Sequence, residues 1–177
     1  MVFVYSLLSS CSLNNDEALT KEIYNAVLKE ALLDDARGEM DSVINSCLVL
    51  LLGAKNDDFR LEVINQFFSN NKALERDNFK PLPLKKAATY EKMSADLAQL
   101  YGLQHTSYRG SKAAVKTCMN DLGFIIIFIP YLNKERNKCI VLLEHLETAG
   151  KGYGAIVILE KGDLDWIIVE TYEAWVS

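Results

Sequence analysis

Lys138 to Ser177, KCIVLLEHLETAGKGYGAIVILEKGDLDWIIVETYEAWVS, is the stretch on which the fold turns. Three short apolar runs lie in it: Ile140–Leu143, Ile156–Leu159 and Trp166–Val169. Each is rich in β-branched or aromatic side chains, which pack well on a pleated surface. Each is also bounded by turn residues and is strand-sized rather than helix-sized. Strands are therefore expected over 138–145, 153–160 and 165–176. The connections are Gly150-Lys151-Gly152 and Lys161-Gly162-Asp163-Leu164. Links this short make consecutive strands pair antiparallel. The runs are apolar on both faces at their centres, so both faces of this sheet are expected to be covered.

Working back from there, Phe124–Ile129 is a fourth apolar strand closed by Pro130, and Asn133–Asn137 is a charged turn leading into the meander. Helical spacing marks four segments upstream. The first is Asp16–Asp35, with Leu19, Ile23 and Val27 on one face. The second starts at Asp57 or Asp58 and runs to about Asn70, carrying Leu61, Ile64, Phe67 and Phe68. The third is Tyr90–Leu100, with Met93, Leu97 and Leu100 in register and Gly102 as its stop. The fourth is Ser107–Leu122, with Ala114, Val115, Cys118 and Leu122. Ser42–Leu52 reads as a buried strand or a helix end, with a lean to strand, and Lys85–Tyr90 as a short strand. Pro81 and Pro83 mark a connection. Helices first and an antiparallel meander last is the α+β order. The expected architecture is N-terminal helices packed on a C-terminal antiparallel sheet of about four strands, in one domain over 11–177.

Composition narrows the function. The chain has 177 residues, half of them apolar and about a quarter charged, with a net charge of −5. Its cations are scattered, whereas a nucleic-acid binder concentrates them to neutralise phosphates, so no nucleic-acid partner is expected. No apolar run approaches the ~20 residues of a membrane-spanning helix. Four cysteines (Cys11, Cys47, Cys118, Cys139) and two histidines (His105, His145) give no paired zinc-ligand spacing, so no metal site is expected. A disulfide among Cys47, Cys118 and Cys139 stays open, with buried free thiols as the plainer reading.

The first ten residues are apolar and small and lead to Leu8-Ser9-Ser10-Cys11. That is the pattern of a bacterial lipobox, in which the cysteine is lipidated and the preceding segment removed. No Lys or Arg precedes the apolar stretch. Residues 1–10 are thus read either as a signal remnant, with Cys11 as the lipidation site, or as an ordinary N-terminal strand.

A resemblance points the same way. Gly152-Tyr-Gly-Ala-Ile-Val-Ile-Leu-Glu-Lys161, Trp166-Ile-Ile-Val169 and Trp175-Val-Ser177 resemble a broad group of uncharacterised bacterial lipoproteins that end in W-x-S. Phe124–Asn133, Cys139–His145 and Glu22–Leu28 look like further parts of the same group's pattern. Two places depart from it: Thr148 and Ala149 stand where cysteines often occur, and the turn before Trp166 is Gly162-Asp-Leu-Asp165. The resemblance implies an exported, lipid-anchored domain and nothing catalytic.

Several strings invite a chemical reading. Tyr108 and Lys112 share the Y-x-x-x-K spacing in which a lysine lowers a tyrosine's pKa, but no glycine-rich cofactor turn precedes them. Gly150-Lys151-Gly152-Tyr153-Gly154 has strands on both sides, which suits a hairpin and not a phosphate cradle. His145 beside Glu144 and Glu147 suggests a base with a carboxylate, or two ligands of a metal. Cys139 and His145 are six residues apart on one strand, about 20 Å at ~3.3 Å per residue, which is too far for a nucleophile–base pair. Tyr153, Trp166, Tyr172 and Trp175 are either a glycan- or peptide-binding face or core and cover.

The sequence therefore predicts an envelope lipoprotein that acts as a binding or protective module rather than an enzyme, without a cofactor. Its partners are the membrane through Cys11 and a protein or glycan ligand. The alternatives are a small hydrolase using His145 and nearby carboxylates, and a cytoplasmic toxin-neutralising protein.

Overall fold

The computed structural model describes residues 3–37, 47–48, 58–75, 77–82, 87–105, 124–146 and 152–176. In chain order these form α1 (Phe3–Arg37), β1 (Cys47–Leu48), α2 (Asp58–Asn70), α3 (Lys72–Glu75), β2 (Lys80–Pro81), α4 (Ala87–Tyr101), β3 (Gln104–His105), β4 (Phe124–Ile127), β5 (Tyr131–Leu132), β6 (Lys138–Leu146), β7 (Gly152–Lys161) and β8 (Trp166–Val176). The expected α+β class holds. The helix expected over 107–122, with Tyr108, Lys112 and Cys118, lies outside the described residues, as do Glu147 and most of 42–52.

The meander β6–β7–β8 is antiparallel throughout, with Val141 opposite Val157 and Val157 opposite Thr171. The other edge of β6 is shared. Cys139 and Ile140 pair with β5, and Leu143–Leu146 pair with β4. Phe128 bridges the gap by donating its N–H to the Leu142 carbonyl at 3.0 Å. Beyond this pair of strands the sheet gains short pieces, of which only β1 falls in a stretch that leaned to strand, 42–52. β2 adds antiparallel to β5, and β1 inserts parallel between β4 and β3. Strands of two residues carry no periodicity to read.

Alternation along the strands sorts the core into two layers. Ile125, Ile127, Cys139, Val141, Leu143, Val157 and Leu159 face Leu19, Ile23, Tyr24, Val27 and Leu28 of α1 and Met93, Leu97 and Ala98 of α4. Ile126, Phe128, Ile140, Leu142, Ile156 and Ile158 face Ile64 and Phe67 of α2. Helices thus cover both faces, which is why the strand centres are apolar on both sides.

Two boundaries differ from expectation. Residues 3–15 continue α1 rather than forming a strand, since no proline or glycine interrupts the chain before Gly38. The helix runs through Asp16, where a start was expected, and the Thr20 hydroxyl bonds back to the Asp16 carbonyl at 2.7 Å. Residues 87–90 start α4 instead of ending a strand. Ala87-Ala88 favours helix, and Tyr90, at 5 % exposure, already belongs to the helix's buried side. Gly102 closes α4 as expected. Its φ of +68° lets the Leu103 N–H reach the Ala98 carbonyl at 2.8 Å, the Schellman arrangement.

Candidate functional site

One row across the sheet holds the most unusual chemistry. Ile126, Glu144, Gly154 and Trp175 lie side by side on β4, β6, β7 and β8. Glu144 belongs to the alternation that faces α2 and is wholly buried. A bare carboxylate there would be costly, because desolvation penalises the charged form. Arg60 of α2 meets it as a fork, Nε on Oε1 at 2.9 Å and Nη2 on Oε2 at 2.7 Å. The guanidinium also sits 5.1 Å from the Phe128 ring centroid. Both carboxylate oxygens are occupied, so Glu144 holds α2 to the sheet. The position of Arg60, third residue of the helix and three before Val63, gave no signal of a long-range partner.

Gly154 leaves room beside Glu144, and the Trp175 indole fills it. A Cβ at Gly154 would overlap the ring. Gly154→Ala should displace that indole into water, because Trp175 is only half-buried at the end of the last strand. The expected cost is about 1 kcal/mol, the low end for overpacking. A red-shifted tryptophan emission checks it.

The four aromatics, read either as one binding face or as core and cover, do not all share a face. Trp166 is buried with α1 and α4, at 5 % exposure. Tyr172 packs on the other face, its ring 5.1 Å from that of Phe67 in α2. Trp175 covers Gly154. Tyr153 stacks edge-on against His145 at 5.6 Å. β8 carries two register shifts, between Gly154/Ala155 and between Ile158/Leu159. Each shift swaps the side on which later residues fall, so period-two counting along β8 fails.

His145 is nearly buried and pairs across the sheet with Ile125 and Tyr153. It follows Glu144 directly on β6, so the two side chains point to opposite faces. The expected base–carboxylate pairing between them is therefore absent. Among the described residues, no three His, Cys, Asp or Glu cluster closely enough to hold a metal ion. His105 falls in β3 and Cys11 within α1.

Cys139 is a free thiol with no exposed surface. Burial pushes its pKa far up from the ordinary thiol range, while a backbone hydrogen bond at Tyr131 pulls slightly the other way. A thiol is nucleophilic only as thiolate. Cys139 should therefore stay unmodified by a water-soluble disulfide reagent in the native protein and react once denatured, read by peptide mapping of residue 139.

The remaining unusual surface is the β7–β8 turn and the strand after it. Leu164 is 93 % exposed, Ile167 57 % and Val169 51 %. Among the described residues β8 pairs only with β7, so it forms an edge of the sheet. No protein-family model, curated protein or solved structure matches the chain. Among the described residues no helix is long and apolar enough to cross a membrane.

Proposed function

We propose that the protein is a binding module whose contact surface is the end of the β7–β8 hairpin, and that a lipid on Cys11 tethers it to a bacterial envelope. The observation that carries the binding reading is the apolar knob of Leu164, Ile167 and Val169. Leaving it in water forgoes roughly 25 cal/mol for every Å² that a partner would cover. Three carboxylates flank the knob in sequence, Asp163, Asp165 and Glu170, with Lys161 the one nearby cation. A second copy of the chain would set carboxylate against carboxylate across the contact. The occupant is therefore a protein surface with an apolar recess and a cationic rim. The two register shifts and the acidic residues of β8 discourage simple strand addition, so the contact is made by side chains and not by the open backbone edge.

Support for the tether is the Leu8-Ser9-Ser10-Cys11 string and the W-x-S resemblance. Intact mass of the native protein tests it: a mature chain beginning at a diacylated Cys11 is the expected result, and an unmodified Met1 species sinks the tether but not the binding surface. The binding surface is tested with a photo-activated cross-linker at position 164 in the native host, with position 100, also exposed, as control. The captured protein should bind the purified chain more weakly at high salt, and Ile167→Asp should weaken it about tenfold or more, as expected of a central apolar contact. Equal capture at positions 100 and 164, or no effect of Ile167→Asp, overturns the assignment.

For the hydrolase alternative, Glu144 faces away from His145, and the other nearby carboxylate, Glu147, lies outside the described residues. The toxin-neutralising alternative would have drawn support from a strand at Val2–Leu8, and residues 3–8 are helical instead.

A further inference from the structure

A concave site lies elsewhere in the sheet, where β2 meets β5 and the turn that follows. It is a cleft of about 380 Å³ lined by Asn78, Lys80, Pro81, Leu82, Leu132, Asn133, Lys134 and Arg136. That volume is within the range of small-ligand sites, and the lining sets three apolar residues beside five polar or charged ones. Leu82 and Leu132 belong to the core that packs under α1, so the floor is rigid. The rim carries three cations and no carboxylate, in a chain whose net charge is −5.

The rim is also built rather than casual. Asn133, almost fully buried, locks the turn. Its side-chain oxygen accepts the N–H groups of Asn137 and Lys138, both at 3.0 Å, and its amide donates to Asn137 Oδ1 at 2.8 Å and Glu135 Oε2 at 3.2 Å. The Glu135 carboxylate is thereby tied to the turn. Arg136 is anchored by Asp16 of α1. Neither Lys80 nor Lys134 has an ion-pair partner among the described residues. The groove between α1 and α4 makes the contrast: there Lys21 and Lys92 both pair with Asp96, at 3.4 and 2.9 Å.

Backbone strain marks the same place. Among the described residues only two non-glycines have positive φ, Asn78 at 49° and Arg136 at 59°. Both line this cleft. A left-handed arginine is disfavoured relative to glycine or asparagine, and such outliers persist where the surroundings over-determine them, often at ligand sites. At residue 136 the strained backbone aims a guanidinium at the rim.

We propose that this cleft binds an amphiphilic oxyanion, a carboxylate or phosphate on a short apolar body. Lys80, Lys134 and Arg136 take the anion, and Pro81, Leu82 and Leu132 take the apolar part. Arginine offers a fork to the oxygens and the lysines act as mobile point charges. The site is separate from the β7–β8 knob and stands or falls without it.

The test is a titration of the isotope-labelled full chain with octanoate, octyl phosphate and inorganic phosphate, following the backbone amides of Leu82, Leu132 and Lys134. At least one octyl anion should give saturable shifts at these amides and bind tighter than inorganic phosphate. Which octyl anion binds better separates a carboxylate source from a phosphate source. Lys80→Glu and Lys134→Glu should each weaken binding about tenfold, the scale of one charge-assisted contact. Lys72→Glu, outside the cleft, should leave it unchanged. Arg136→Asn keeps a residue suited to the left-handed backbone while removing the guanidinium, so it should fold normally and bind at least about tenfold more weakly. No saturable shift with either octyl anion, equal affinity for inorganic phosphate, or insensitivity to the charge reversals overturns the proposal.

Discussion

Arg60→Leu should lower unfolding stability by about 3 kcal/mol, toward the lower end of the ~3–5 kcal/mol typical of breaking a buried ion pair. The size follows from asymmetry. Glu144 is fully buried and both its oxygens rest on Arg60, while the Arg60 side chain keeps 23 % of its surface in water. Removing the arginine strands a carboxylate among Ile126, Ile156 and Phe128. The cation–π contact with Phe128 is lost as well. Removing both charges tells a different story. Arg60→Leu with Glu144→Leu should recover most of the loss, because the desolvation penalty vanishes with the charge. Urea denaturation of the two variants and the wild type measures both. A loss below about 1 kcal/mol for Arg60→Leu would mean that water reaches Glu144.

Alkaline pH should bring the other large effect. Burial holds the Tyr24 hydroxyl well above its ordinary pKa near 10, with repulsion from Tyr90 and Cys139 adding to it. Burial likewise raises Cys139 from an ordinary value near 9. For each group the folded chain keeps its proton where the unfolded chain releases it. Their stabilising contribution is therefore complete below the unfolded pKa and is lost as pH rises above it. Each group costs about 1.4 kcal/mol for every pH unit past that point. Stability should hold to about pH 8.5, then fall by about 4 kcal/mol by pH 11. Cys139→Ala should remove the part of the decline that begins first, near pH 9. Denaturant titrations between pH 8 and pH 11 give the profile, and a flat one would mean that neither group is buried in solution.

The contrast between what the chain announces and what it conceals has physical causes. Long strands and helices announce themselves, because nine to eleven consecutive residues sample the period several times. β6, β7, β8, α2 and the body of α4 were readable for that reason, and so was the cover on both faces of the sheet. β1, β2 and β3 are two residues each and depend on partners far away in sequence. The choice between one face and core and cover for the aromatics of β8 was not legible, because the register shifts opposite β7 are backbone events without a residue signature. The Arg60–Glu144 pair joins positions 84 residues apart, and only tertiary packing brings them together. The cationic cleft was equally hidden. Lys80, Lys134 and Arg136 look scattered along the chain, and the β2–β5 pairing gathers them.

The sheet's connectivity also sets an order of assembly. β6, β7 and β8 are successive ribbons joined by short links, so their pairing closes small loops and costs little chain entropy. β1 must find β4 across about seventy-five residues of chain, and it contributes only two residues to the reward. The meander is thus the natural nucleus, and the parallel corner the last piece to dock and the first to open. Hydrogen exchange in the native protein should be slowest at the amides of Val141, Val157 and Leu159 and fastest at residues 47–48 and 104–105. A protein built this way carries its most persistent scaffold in its final forty residues and leaves the opposite margin of the sheet free to breathe.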